Sequence, residues 1–184
     1  GWNYEIGYKR INKKDDWKVD VFYMDFKNFF QWQPDANGRP LVRVNGGKFR
    51  NVGIEAEYGR RLSDRLKWNV SGSYSNPRQM EMNENYWKQA APKLQFTTGI
   101  RYESPTWEAG TSFSFVTKRL RNRDGGLNPN IALWNAYVGY HFNKDATLRL
   151  DARNLLDRHN VITNGDYEYW GDPFTYELSY TQKF

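Results

Sequence analysis

Glu55 and Glu57 stand two residues apart in Gly53-Ile-Glu-Ala-Glu-Tyr-Gly59. On a strand, that spacing puts both carboxylates on one face, where a general acid and a general base could cooperate. The same face also holds Lys67, Arg101, Arg149 and Arg153, so charge pairing, or contact with a further part of the protein filling that side, is the simpler expectation. Asp151, flanked at the same spacing by Arg149 and Arg153, reads the same way. The two histidines are His141 and His159. A haem-binding protein needs an axial ligand, commonly His, and His159 is the loop residue that could serve. His141 reads as a polar strand residue. The absence of Cys removes disulfides, thiol catalysis and Cys-ligated zinc. No metal-ligand cluster, Ser/His/Asp arrangement or phosphate-cradling Gly loop stands out, so no catalytic residue, resident metal or cofactor is expected.

Rings and cations also gather in the segments between strands. Trp32 and Arg39 share one; Tyr86, Trp87 and Lys88 the next; Arg119, Arg121 and Arg123 the third; His159, Tyr167, Tyr169 and Trp170 the last. Aromatic faces and guanidinium groups suit a bulky, planar or anionic small molecule. Loops on a rigid scaffold are where binding concentrates.

The elements that position these residues follow from an alternation with period two that runs almost throughout. Trp2, Tyr4, Ile6 and Tyr8 share a face opposed by Asn3, Glu5, Gly7 and Lys9. Trp17, Val19, Val21 and Tyr23 follow, here with a less polar opposite face that includes Phe22 and Met24. Further strands run through Val52–Gly59, Leu66–Ser75, Leu94–Tyr102, Trp107–Phe115, Trp134–Phe142, Leu148–Arg153 and Phe174–Thr181. These nine strands of roughly 9–12 residues have the length that crosses a bilayer at a tilt. Short connections at Asn12–Asp16, Leu62–Arg65, Glu103–Thr106 and Asn143–Asp145 alternate with long ones near Gln33–Val42, Asn76–Ala91, Arg121–Asn130 and Arg158–Asp172. Short turns on one rim and long loops on the other are the layout of outer-membrane barrels. The expected fold class is therefore all-β, a transmembrane antiparallel β-barrel. A soluble sandwich with one wet face is the alternative that alternation alone leaves open.

Composition agrees. Aromatics reach 17%, with 8 Trp, 13 Tyr and 11 Phe, and rings with polar tips suit a boundary between hydrocarbon and water. The mean hydropathy of −0.92 excludes helical spans but not strands whose inner face is polar. The 27 Lys and Arg are interleaved with 21 acids for a net charge of +6, without the dedicated basic stripe that nucleic-acid binding needs. The chain opens at Gly1 with no basic n-region or apolar h-region, and reads as a mature or truncated segment. Nine direction-switching strands leave the first and last parallel, and a barrel with an open edge is not tolerated in lipid. The sequence therefore reads as part of a wall completed by further strands, from the same or a separate chain.

Three stretches resemble the barrel of TonB-dependent receptors. Asn45-Gly-Gly-Lys-Phe-Arg-Asn-Val-Gly-Ile-Glu-Ala-Glu57 is similar to the family's descending Gly-[Val/Ile]-Glu strand. Asn154-Leu-Leu-Asp-Arg158 is similar to its Asn-Leu-[Leu/Phe]-Asp motif near the end of the penultimate strand. Gly171-Asp-Pro-Phe-Thr-Tyr-Glu-Leu-Ser-Tyr-Thr-Gln-Lys-Phe184 is similar to its final strand. The resemblance spans essentially the whole chain and implies that residues 1–184 are the C-terminal nine strands of a barrel of about 22, its plug domain and TonB box lying outside this sequence. It implies an outer-membrane location and uptake of a scarce nutrient, foremost a ferric siderophore, with haem, cobalamin or a glycan as alternatives. The TonB–ExbB–ExbD complex would act through the plug, which Glu55, Glu57, Arg101, Arg149, Asp151 and Arg153 would face. Tyr176, Leu178, Tyr180 and Phe184 match the terminal signal read by the barrel-assembly machinery. Gln182 departs from it, since that position is usually apolar or aromatic. Asn154 and Asp157 read as backbone-bonding residues where a strand meets its loop.

Overall fold

The computed structural model describes residues 1–33, 42–117, 119–120, 126–162 and 169–183, with the side chains of 31–33, 42 and 120 left aside. Its strands are β1 (Trp2–Ile11), β2 (Asp15–Gln33), β3 (Val42–Arg61), β4 (Leu66–Ser75), β5 (Arg78–Met80), β6 (Lys88–Gln89), β7 (Leu94–Glu103), β8 (Trp107–Val116), β9 (Arg119–Leu120), β10 (Leu127–Asn128), β11 (Ile131–His141), β12 (Ala146–Arg153) and β13 (Thr175–Gln182). Nine of them form one meander in the order β1-β2-β3-β4-β7-β8-β11-β12-β13, every neighbour antiparallel. These are the nine strands that alternation predicts. The edges of β1 and β13 have no partner strand among the described residues.

The register sorts side chains into two faces. Trp17, Tyr58, Val70, Thr98, Phe113 and Trp134 are successive partners in one row. Glu57, Ser71, Thr97 and Ser114 make the neighbouring row on the other face. Each short turn is closed by one small polar side chain, as turn chemistry requires. Asn12 donates its amide to the Asp15 carboxylate at 2.8 Å. The Ser63 hydroxyl accepts from the Arg65 and Leu66 amides, the Ser104 hydroxyl from Trp107, and the Asn143 side chain from Asp145.

Rings gather on the apolar face beside those turns. Tyr8–Trp17, Tyr58–Trp68, Trp107–Tyr140, Tyr140–Phe142 and Phe142–Tyr180 lie 4.8–6.5 Å apart between centroids. The indole N–H groups of Trp68 and Trp134 do not point into nothing: they donate to Thr98 and Thr111 at 2.9 and 2.6 Å.

A single-layer sheet has no interior of its own. Among the described residues the buried apolar side chains are Phe22, Ala132, Ala146 and Val161, while Trp2, Ile6 and Leu178 stand open at 68%, 76% and 66% exposure. Apolar surface on that scale needs a partner, and hydrocarbon meets the need over a whole sheet face.

The structure corrects the extent of two strands. β2 and β3 run 19 and 20 residues, about twice what a bilayer needs. Their far halves carry Phe26, Phe29, Phe30 and Val44, residues that favour strands on either face. Asn28, at φ 58°, sits where the ladder slips, a bulge that re-aims the strand. The long connections also hold structure: β5 and β6 in one, the β9–β10 hairpin in the next, and a Val161–Trp170 bridge in the last.

Candidate functional site

Two groups of polar residues sit on the wall, one on the polar face and one among the long connections. The first centres on Arg149. Its guanidinium binds Asp151 through two bonds of 2.8 Å and Glu108 at 3.0 Å, and lies 3.8 Å over the Tyr137 ring. Room for that ring comes from Gly110, its cross-strand partner: a Cβ there would stand 2.6 Å from the ring. Gly139 makes the same allowance for Glu108. Arg101 binds Glu103, which also draws Lys67 to 3.7 Å, and Arg153 reaches Glu177 at 3.3 Å. The sequence grouping of Arg101, Arg149, Asp151 and Arg153 is therefore one neighbourhood, running from the short turn beside Glu103 to the far end of β12 at Arg153. Sequence reasoning missed Glu103, Glu108, Tyr137 and Glu177, whose rows become neighbours only once the register is known.

Glu55 and Glu57 lie outside that cluster. They line a polar hollow of about 310 Å³ with Ser71, Ser73, Gln95 and Thr97, and neither makes an ion pair among the described residues. The hollow is walled by hydroxyls, Thr97 and Ser114 bonding each other at 3.0 Å. His141 is satisfied by Thr147 at 2.9 Å.

At the other rim, Asn154 organises the last connection. It is 2% exposed and left-handed at φ 51°. Its amide nitrogen donates to the Arg158 and Asp172 carbonyls, and its oxygen accepts from the Arg158 amide. Asp157, also left-handed, accepts the Phe174 amide at 2.9 Å. Asn160, buried, brackets both backbone groups of Ala132 as a neighbouring strand would. The backbone-bonding reading of Asn154 and Asp157 accords with these contacts, whereas nothing local in the sequence marks Asn160.

The ring and cation candidates divide. Tyr86, Tyr169 and Trp170 are open, at 58%, 62% and 56% exposure, and His159 stands edge-on to Trp170 at 6.0 Å. Trp87 instead covers the Arg50 guanidinium at 5.2 Å. Arg119 is turned into the protein: it donates to the Val161 and Ile162 carbonyls, tying two connections together, and burial pushes it below its ordinary range. Trp32 is in β2 opposite Arg43. Arg39, Arg121, Arg123, Tyr167 and Phe184 lie outside the described residues. Tyr176, Leu178 and Tyr180 project from β13 in one row pattern with Ala152, Leu150 and Leu148.

Beside Tyr86, Lys88 binds Glu84 at 3.1 Å and Glu81 more closely. Burial pushes the Glu84 carboxyl up, but the Glu81 amide, Lys88 and the Tyr86 hydroxyl outweigh it and hold it below its usual range. Burial likewise pulls Lys88 down, and its two carboxylates lift it above its usual value. No group of three or more His, Asp or Glu among the described residues could hold a metal.

The two faces, the girdle and the alternating connections find their counterpart in known proteins. A family model described as "TonB dependent receptor-like, beta-barrel" matches residues 1–155. The chain belongs to that family. TonB-dependent receptors are outer-membrane β-barrels and transport receptors, so the all-β barrel-wall expectation holds. The ferric-pyoverdine receptor PbuA of a Pseudomonas strain is 23% identical over all of this chain, which covers 24% of PbuA. Among solved structures, the ferric citrate transporter FecA superposes with a TM-score of 0.78 at 22% identity, over 98% of this chain and 31% of FecA. The siderophore receptor PiuA from Acinetobacter baumannii gives 0.78 at 16%, over 99% and 28%. This chain thus spans about a quarter to a third of the length of these relatives.

Proposed function

We propose that this chain is the C-terminal part of the wall of an outer-membrane receptor that takes up a ferric siderophore with energy from TonB. The observation that carries the reading is the pairing of a polar lumen face with open rings at the long-connection rim, Tyr86, Tyr169 and Trp170. Such rings fit a bulky, planar chelate, and the named relatives include receptors and transporters of ferric chelates. The remaining strands and a plug complete the barrel. The plug meets the lumen at Glu55, Glu57 and the Arg149 cluster and passes the pull of TonB–ExbB–ExbD to the cargo. The barrel-assembly machinery reads the last strand.

The test is growth of a receptor-deletion strain under iron limitation, complemented with the whole receptor and supplied with single ferric siderophores. Rescue by one siderophore, weakened about tenfold or more in Tyr169→Ala/Trp170→Ala, is expected. Rescue by haem alone, lost in His159→Ala, would reassign the cargo to haem, the reading that the His159–Trp170 contact favours. Rescue by none would refute iron uptake.

A further inference from the structure

The face that carries the apolar band changes character abruptly above Tyr23 and Val52. On β2 the next residues of that face are Asp25 and Lys27, and on β3 they are Arg50 and Lys48. β5 adds Arg78, whose partner in the ladder is Arg50. Cross-strand partners share a face, so Asp25, Arg50 and Arg78 form one row, and Lys27 and Lys48 the next. Lys27, Lys48, Arg50 and Arg78 are all exposed.

Asp25 is the acid of these two rows, and it is taken. Arg50 binds it at 2.8 and 3.2 Å, Tyr23 donates to it at 3.2 Å, and Trp87 covers the outer side of Arg50. Lys27, Lys48 and Arg78 make no ion pair among the described residues. The ladder therefore sets Lys27 directly against Lys48 and Arg50 directly against Arg78. Like charges in that position destabilise a sheet; Asp25 offsets the Arg50–Arg78 pair, and the Lys27–Lys48 pair, with Arg78 beside it, calls for an anion from outside the wall.

We infer that this belt is a docking site for the phosphorylated headgroup of an outer-leaflet lipid. The inference rests on the membrane-spanning reading above. Height selects the occupant. Two residues along a strand tilted by about 40° climb roughly 5 Å. The two rows thus stand about 5 and about 10 Å above the last apolar row, within the headgroup layer of a bilayer. An acyl chain lying on Val52, Ile54 and Tyr74 would bring its phosphate to these cations, which a free anion has no reason to prefer. Lys and Arg at an anionic lipid surface attract it additively.

The experiment uses the whole receptor in detergent, titrated with a bis-phosphorylated glucosamine lipid and with the same lipid dephosphorylated, bound lipid being counted by native mass spectrometry. The phosphorylated lipid is expected to bind the wild type. Lys27→Gln/Lys48→Gln/Arg78→Gln should weaken it about 100-fold, which at about 1.4 kcal/mol per tenfold equals about 3 kcal/mol for three cations. Each single Gln variant should lose roughly fivefold, and Lys27→Arg/Lys48→Arg should bind as wild type. The dephosphorylated lipid should bind all forms equally weakly. Unchanged affinity in the triple or the single variants, equal affinity for both lipids, or displacement by millimolar inorganic phosphate would overturn the assignment. Gel migration that shifts on heating reports the folded barrel separately. Its loss in the wild type would count against the membrane-spanning reading, whereas its retention with unchanged lipid affinity would sink the docking site alone.

Discussion

Val70 and Ser71 are neighbours on β4 that face opposite ways, and an arginine at each separates the two sides of the wall. Val70 stands in the row Tyr58–Val70–Thr98 and lines an apolar hollow of about 610 Å³ with Trp17, Val19, Ile54 and Tyr58. It is four residues above Leu66, where β4 leaves its short turn. At roughly 3.4 Å per residue and a tilt of about 40°, that is about 10 Å into an apolar band about 25 Å tall. Val70→Arg therefore places a guanidinium near the midplane, at a cost of about 2–4 kcal/mol. Ser71 lies opposite Glu57 in the register and lines the polar hollow. Ser71→Arg should be neutral or gain about 0.2–1 kcal/mol from that carboxylate. The expected gap is thus at least about 2 kcal/mol, roughly a 30-fold difference in folding equilibrium. Urea titration of the whole receptor in phosphatidylcholine vesicles, followed by tryptophan fluorescence, measures it. A gap under about 1 kcal/mol, or a larger cost at Ser71, would refute the assignment of faces.

Asn154→Ala removes three side-chain hydrogen bonds from a buried left-handed position, for an expected loss of about 3–5 kcal/mol; Asn154→Gly, which relieves only the backbone, should recover the smaller part in the same urea titration. Gly110→Ala drives the Tyr137 ring off its seat and should cost about 1–3 kcal/mol, while Gly110→Ala/Tyr137→Ala should cost less than the sum of the singles; additive effects would show that the ring does not depend on Gly110. The carboxyl of Glu84 is held below its ordinary value of 4.5 in the fold, so its contribution is complete above about pH 4.5 and disappears as the pH falls through the lowered value. Hydrogen exchange of residues 81–88 should accelerate only in that acid range, after correction for intrinsic rates, and Glu84→Gln should abolish the step; a step that persists in the variant would move its origin elsewhere.

The wall was legible because one face meets hydrocarbon. A one-residue slip would turn Trp68, Val70 and Tyr74 into the lumen, so selection for burial leaves a period of two in the sequence. Above the bilayer that pressure ends. The far halves of β2 and β3 lack a clean period of two, so alternation marks strand only as far as Met24 and from Val52. The long connections were illegible for another reason. Asn160 bonds Ala132, and Arg119 bonds Val161 and Ile162, across 28 to 43 residues of chain, and such partners leave no local mark.

Residue type told which positions could bind a ring or an anion but not where each side chain was aimed. Tyr169 and Trp170 stay open, whereas Trp87 and Arg119 spend their faces on the protein itself. The lumen makes the same point about height. Glu55, Glu57, Arg101 and Arg149 were correctly grouped on one face by alternation, yet Arg101 opposes Lys67 and Gly110 while Glu57 opposes Lys18 and Ser71. Alternation fixes the face of a residue; the register fixes its row, and in a tilted wall the row determines which charges meet. The cations therefore neutralise Glu103, Glu108 and Asp151, whereas Glu55 and Glu57 make no ion pair among the described residues, the Lys18 opposite Glu57 being bound to Asp20. Under the proposed function, cations of the plug would meet this pair, which makes Glu55 and Glu57 the first positions at which to look for contact with it.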